Sequence, residues 1–390
     1  MVFIKKTTVF FVYCILGKGR GIFMANIEDY IKWRGDLSFQ QDPFNDIDSL
    51  ILSQIAYVDF EGIVPDMEMG NGLTLSKVCD KFFRIYNEEE LKKVKTFIWY
   101  APFFMRTVAK CTRFGNIVLK NYSWINDDKK QTQFVAFTAE LGDGTIYIGF
   151  MGTDDTIVGW KEDFNMSYQH PIPAQIQAVS YIDEVAAQTK KKMRIGGHSK
   201  GGNLAVYGAV RCKAKFKKRI INVYNNDGPG FDEAFIKDRR YQEIRSVIKL
   251  IVPQYSVVGM LFEHDEDFIV VKSSQSGIMQ HDGMSWQVEG NQFEYAEGLS
   301  KSSRVLNEVL KKWMNKIDME ERDKFVNVLF SLITASGATT LSEISADRFN
   351  SASSAFRIYQ SLDRDTKVMM RRLFHSLTGE LDKARKKTLH

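Results

Sequence analysis

Hydrophobic and polar positions change period several times along the chain, and each change marks an element. Asn45 and Asp48 can cap a helix whose apolar residues Ile47, Leu50, Ile51, Ile55 and Val58 recur at helical spacing. Residues 74–110 read as helix and loop, with a charged, solvated face at "NEEELKKVK". Two β-rich runs follow, "QFVAFTAEL" and "TIYIGFMG", and Gly142, Asp143 and Gly144 between them supply the turn of a hairpin. Beyond the hairpin, helix and strand alternate. A helix over 174–189 sets Ile176, Val179, Ile182, Val185 and Ala186 on one side, and a strand over 193–197 leads into a second helix after Ser199. The strand "RIINVYNN", a helix over 231–247, and the strands "IKLIVPQYS" and "DFIVVKSS" complete the series. This alternation predicts an α/β fold, a mainly parallel sheet flanked by helices.

From about 292 to 390 the pattern is almost wholly helical and ends in a basic tail, "KARKK", that is expected to fray. Phe325, Val328, Leu329 and Leu332 repeat at helical spacing and must bury against something, so this region is expected to form a separable helical subdomain. No internal repeat points to a solenoid.

Composition narrows the classes. With 390 residues and 44% hydrophobic content, the chain can bury one large core or two modest ones. Its 53 basic and 48 acidic residues nearly balance, and the basic ones do not cluster with aromatics, so no nucleic-acid partner is expected. Cys14, Cys79, Cys111 and Cys212 show neither CxxC nor Cys/His spacing. They read as buried thiols of a reducing, cytoplasmic compartment, with no disulfide framework and no metal site. No apolar run reaches the roughly 18 residues of a membrane span. The opening "MVFIKKTTVFFVYCILGKGRGIF" imitates a signal peptide, yet "GKGRG" offers no small-x-small cleavage site. Met24 opens "MANIEDYIKWRGDLSF", an ordinary soluble start, so residues 1–23 are read as a non-structural extension.

Candidate chemistry sits in "MRIGGHSKGGNLAVYGA", residues 193–209. A serine hydroxyl must project beyond its neighbours to reach a carbonyl. A sharp strand-turn-helix corner achieves this but crowds the positions two residues to either side, where Gly197 and Gly201 stand. The helix N-terminus then offers N–H groups to a developing oxyanion. The stretch is neither G-x-x-x-x-G-K-[ST] nor G-x-G-x-x-G, so a phosphate loop is excluded. Upstream, "IGFMGTDDTIVGWKEDF" ends a strand and begins a polar turn, where a second oxyanion donor is needed.

"FMGT", then Trp160 and Asp163, then "GHSKGGNLA" together resemble the class-three triacylglycerol lipases, and more closely an uncharacterised bacterial family of lipase-like α/β-hydrolases. The resemblance covers roughly the domain expected at 24–291. It implies an oxyanion hole made by the backbone N–H groups of Thr153 and Lys200, with Trp160 and Asp163 supporting the loop. Position 200 is then expected to tolerate exchange, since only its N–H is invoked.

In such hydrolases the base follows the last strand, which selects His281 in "SGIMQHDGMSWQV". His198 is read as packing, and His264 in "FEHDED" as a solvated turn residue. His170, His375 and His390 lie in a loop or in the helical tail. The acid breaks the family pattern, because Ser256 stands where those lipases carry an aspartate. A serine can orient an imidazole but cannot offset its charge. Asp227, at the end of the preceding strand, is the expected substitute. Three alternatives stay open: a plain Asp-Gly-Pro turn at 227, the acidic cluster Glu263, Asp265, Glu266 and Asp267, or a dyad oriented by Ser256. The expected activity is hydrolysis of an acyl or lipid ester without metal or organic cofactor, compatible with peripheral membrane contact. The alternative is a lipase-like binding or regulatory module with a degenerate triad. Oligomeric state is not legible.

Overall fold

The computed structural model describes residues 24–388 apart from 68–69, 95–97, 128–131, 155–160, 162–165, 167–170, 315, 334 and 336–347. Helices α1 (Ile27–Arg34) and α2 (Asp46–Ile55) both start at an asparagine capping box. In α2 the Asn45 side chain accepts from the N–H groups of Ile47 and Asp48, and the Asp48 carboxylate accepts from Asn45 N–H at 2.8 Å. Its expected apolar face, Ile47, Leu50, Ile51, Ile55 and Val58, is buried throughout.

An eight-stranded sheet follows in chain order: β1 (Leu73–Thr74), β2 (Val118–Asp127), β3 (Thr132–Glu140), β4 (Thr145–Phe150), β5 (Lys192–His198), β6 (Ile220–Asn226), β7 (Ile248–Pro253) and β8 (Phe268–Val271). The first four strands pair antiparallel and include the expected hairpin β3–β4, while β4 through β8 pair parallel. Both faces of the sheet are covered. Alternate residues of β3 separate accordingly: Val135 and Phe137 join one core with α1, α2, α3 (Leu75–Ile85) and α4 (Ala101–Ala109), while Phe134 and Ala136 join the other. The second core is closed by α5 (Pro173–Gln188) and α6 (Lys200–Arg211).

Two expectations need correction, and one element is new. The helix expected over 174–189 is α5, but it buries Ala178, Tyr181, Ile182 and Val185, and leaves Ile176 exposed. Its orientation is set by close packing on α6, where Gly208 lies against Ile182 and the Ala178 backbone. The single helix expected over 231–247 is broken into Glu233–Lys237, Arg239–Gln242 and a 3₁₀ turn, Arg245–Val247. Asp238 is extended and caps the N–H of Arg240 at 2.8 Å, so it ends one helix and starts the next. Strand β2 was not foreseen as an element at all.

Helices α7 (Lys301–Met314), α8 (Met319–Ile333), α9 (Arg348–Ser361) and α10 (Arg364–Thr388) form the C-terminal region. Trp313, Ile317, Phe325, Val328, Met370 and Leu373 make its small core, with Leu332 packed against it, while the Leu329 side chain lies outside the described residues. The expected frayed "KARKK" tail is instead the end of α10. Among the described residues no helix is long and apolar enough to cross a membrane. Residues 1–23 lie outside the described residues.

The N-terminal layer is fastened by a fully buried ion pair. Arg113 Nε donates to Asp48 Oδ1 at 2.8 Å and Nη2 to Oδ2 at 2.5 Å, and the guanidinium also reaches the carbonyls of Asp42 and Pro43. Removing one partner of such a pair strands a buried charge. Arg113→Met is expected to lower unfolding free energy by about 3–5 kcal/mol in urea titrations, and adding Asp48→Leu should recover part of it. A single-variant loss below about 1 kcal/mol, the scale of an exposed pair, would show the pair to be expendable.

Candidate active site

Parallel pairing brings His198, Asn226 and Ile251 level across β5, β6 and β7. The residue after each of the first two leaves its strand through a left-handed backbone: Ser199 has φ 57° and Asp227 has φ 53°. Such a conformation is uncommon for a residue with a Cβ and needs surroundings that hold it. Here the ladder itself does so, since Ser199 N–H donates to Asn226 O at 2.9 Å and Asp227 N–H to Ile251 O at 2.8 Å. Each strained residue is tied to the neighbouring strand.

The serine corner is as tight as the glycine spacing implies. A Cβ on Gly197 would strike the Gly201 backbone, and one on Gly201 would strike the Phe150 carbonyl. Gly152 brings the end of β4 against the elbow: a Cβ there would meet the Tyr57 hydroxyl and the His198 carbonyl, and would lie 3.1 Å from Ser199 Cβ. Thr153 is the next residue and is partly buried, and Lys200 opens α6. Lys200 therefore follows the serine directly in the chain, and Thr153 follows a glycine that packs against it. Trp160 and Asp163 lie outside the described residues, as do His170 and His390. The Lys200 side chain is wholly buried and its Nζ donates to Gln133 O at 3.1 Å, so the expected tolerance at this position does not follow from the structure.

Asp227 is fully buried, and its two carboxylate oxygens have different partners. Oδ2 accepts from His281 Nδ1 at 2.6 Å, and Oδ1 accepts from Ser256 Oγ at 2.5 Å. Asp227, His281 and Ser256 are thus brought together. Among the described residues, no hydrogen bond joins Ser199 Oγ to His281. Ser199 is 7% exposed. The acidic cluster is engaged elsewhere: Glu263 with Lys311, Asp265 with Arg245, and Glu266 with Tyr241 and His264. His264 is accordingly a buried side chain rather than a solvated one. His375 is exposed on α10.

Sequence reasoning missed how His281 is held. The rings of His198 and His281 lie 4.6 Å apart, and His198 Nε2 is 2.7 Å from His281 O. A carbonyl only accepts, so Nε2 carries the proton and Nδ1 accepts from the Tyr57 hydroxyl at 3.0 Å. His198 is therefore more than packing: it pins the main chain of His281 to the elbow. From the other side the buried Trp286 indole donates to Gln280 O at 2.9 Å, and the Gln280 amide oxygen accepts from Tyr255 N–H at 2.8 Å. These contacts join residues far apart in sequence, and no local pattern signals them.

The strand order, the glycine-flanked elbow and the buried acid–imidazole pair define a lipase-like α/β protein. The chain belongs to the Mbeg1-like family, whose model matches residues 108–331, more than half of its length. Among solved structures it is similar to the native Rhizomucor miehei lipase propeptide complex, at 17% identity and a TM-score of 0.32, over 47% of this chain and 63% of that one. A two-residue deletion mutant of that complex is similar at 14% identity and a TM-score of 0.34, over 49% of this chain and 70% of that one. No curated protein matches.

Burial and the nearby charge of His281 push the pKa of His198 down from 6.5 to about 3, outweighing its bond to the His281 carbonyl. The folded state holds His198 neutral, while the unfolded chain binds its proton below pH 6.5. Stability from this residue is full above pH 6.5 and is lost as pH falls toward 3, at up to ~1.4 kcal/mol per pH unit. Urea titrations across that window should show a shallower decline for His198→Gln than for wild type. Parallel curves would contradict this placement of the proton.

Proposed function

We propose that this protein is a serine hydrolase that cleaves a carboxylic ester, of an acyl or lipid substrate, through an acyl-enzyme. The observation that carries the proposal is the buried Asp227 carboxylate 2.6 Å from His281 Nδ1, beside a serine at φ 57°. An ester needs an activated nucleophile, a proton carrier and a site for negative charge. Ser199 Oγ attacks the carbonyl carbon while His281 Nε2 takes its proton. Asp227 keeps the proton of the imidazole on Nδ1 and offsets the charge of the imidazolium. The N–H groups of Lys200 and Thr153 receive the oxyanion. Collapse expels the alcohol with the proton from His281, and water, deprotonated by the same imidazole, releases the acid. The Ser199–His281 hydrogen bond closes when substrate is bound, since catalytic hydrogen bonds are often long in the free enzyme. No step requires a metal or organic cofactor.

The competing reading, a lipase-like module without chemistry, draws on Ser256 at the position of the lipase acid. The hydroxyl of Ser199 separates the two. Wild-type protein treated with a fluorophosphonate should gain one adduct, mapped by mass spectrometry to Ser199, and should hydrolyse members of a panel of nitrophenyl esters. Ser199→Ala should do neither, with a loss of several orders of magnitude in kcat. Equal labelling of Ser199→Ala and wild type would remove Ser199 as nucleophile, and an unlabelled, inert wild type would favour the binding module.

A further inference from the structure

The carboxylate of Asp227 is seated by the loop between β7 and β8, and that loop is held by the first turns of α7. Ser256 and Gly259 form the seat: Ser256 Oγ donates to Asp227 Oδ1, and a Cβ on Gly259 would collide with the same oxygen. Ser256 is itself fully buried, and its carbonyl accepts two side-chain donors from one helix. Ser303 Oγ lies 2.7 Å away and Asn307 Nδ2 3.2 Å away, one helical turn apart on the same face. Ser300 N–H adds a third bond, to Gln254 O at 2.7 Å. Ser303 has no exposed surface.

We infer that Ser303 and Asn307 are positioning residues that hold the acid in place through Ser256, so that the C-terminal helical region takes part in the hydrolase site. Two donors on one carbonyl fix the peptide plane after Ser256, and so hold in place the main chain from which its hydroxyl reaches the carboxylate. That hydroxyl is one of two side-chain hydrogen bonds to a buried carboxylate among the described residues. A buried carboxylate that loses a donor turns toward another. Its pull on His281 Nδ1 then weakens without any change in the serine, the base or the acid. The separable subdomain expected from residue 292 is thus bonded, at its first helix, into the acid loop.

The inference rests on the proposed hydrolase reading for its effect on rate, so the test pairs a rate with a signal that needs no activity. The hydrogen-bonded Nδ1 proton of His281 should give a far-downfield proton resonance, assigned by its loss in His281→Ala. In Ser303→Ala/Asn307→Leu that resonance should broaden or vanish well below the melting temperature. Phosphonylation of Ser199 should slow severalfold, up to about the tenfold scale of one lost hydrogen bond. Ser303→Thr, which keeps the hydroxyl, should restore both signals. Lys311→Ala cuts an exposed bond from the same helix to Glu263 and should leave both unchanged. If the double variant does not fold, Asn307→Ala alone should speed exchange of the Nδ1 proton. A wild-type resonance in the folded variants overturns the inference, and so does its absence from wild type. A wild type that shows the resonance but takes up no phosphonate overturns the hydrolase reading while leaving the clamp standing.

Discussion

Everything at the candidate site depends on the parallel register of β5, β6 and β7. Because His198 and Asn226 are level, the residues that follow them, Ser199 and Asp227, emerge side by side at the ends of adjacent strands. Adjacent strands lie about 4.8 Å apart, close enough for side chains from neighbouring strand ends to meet. Left-handed backbone at Ser199 and Asp227 turns both chains out of the sheet at once, and the last ladder hydrogen bonds hold that strain. A serine in an ordinary loop would have no comparable support. The cost of the two corners is carried by the two cores on either face of the sheet.

This register also brings a carboxylate to the His281 imidazole from the end of β6, one strand before Ser256. Ser256 follows β7, yet it is the aspartate after β6 that reaches the imidazole. The two share one task. Ser256 contributes a hydroxyl to the carboxylate, and its small side chain, with Gly259 beside it, leaves room for the carboxylate to be seated. A burial this complete makes the carboxylate sensitive to each donor. The same loop is hydrogen-bonded to α7 through the Ser256 carbonyl.

Legibility followed the range of the interactions. The elbow was readable because its crowding is local: the glycines that relieve it sit two residues from the serine. The hairpin at Gly142–Gly144, the capping box at Asn45 and the strand end at Asp227 were readable for the same reason. Strand β2 was not, because its pairing with β3 shifts between Lys120 and Ser123, and Asn121 has φ 56°, so the alternation is broken. The helix expected over 231–247 failed at Asp238, whose capping side chain overrides apolar periodicity. His198, Tyr57, Trp286, Ser303 and Asn307 acquire their roles only from contacts made across the fold.

The central claim is that Asp227 provides the charge while Ser256 only orients it. Steady-state kinetics of Asp227→Asn and Ser256→Ala on one ester, with circular dichroism to show that both fold, test it most directly. The account predicts that Asp227→Asn lowers kcat by a factor on the order of 10⁴, and that Ser256→Ala loses roughly tenfold, one neutral donor. A loss below tenfold in folded Asp227→Asn would contradict it and return this residue to the role of a turn.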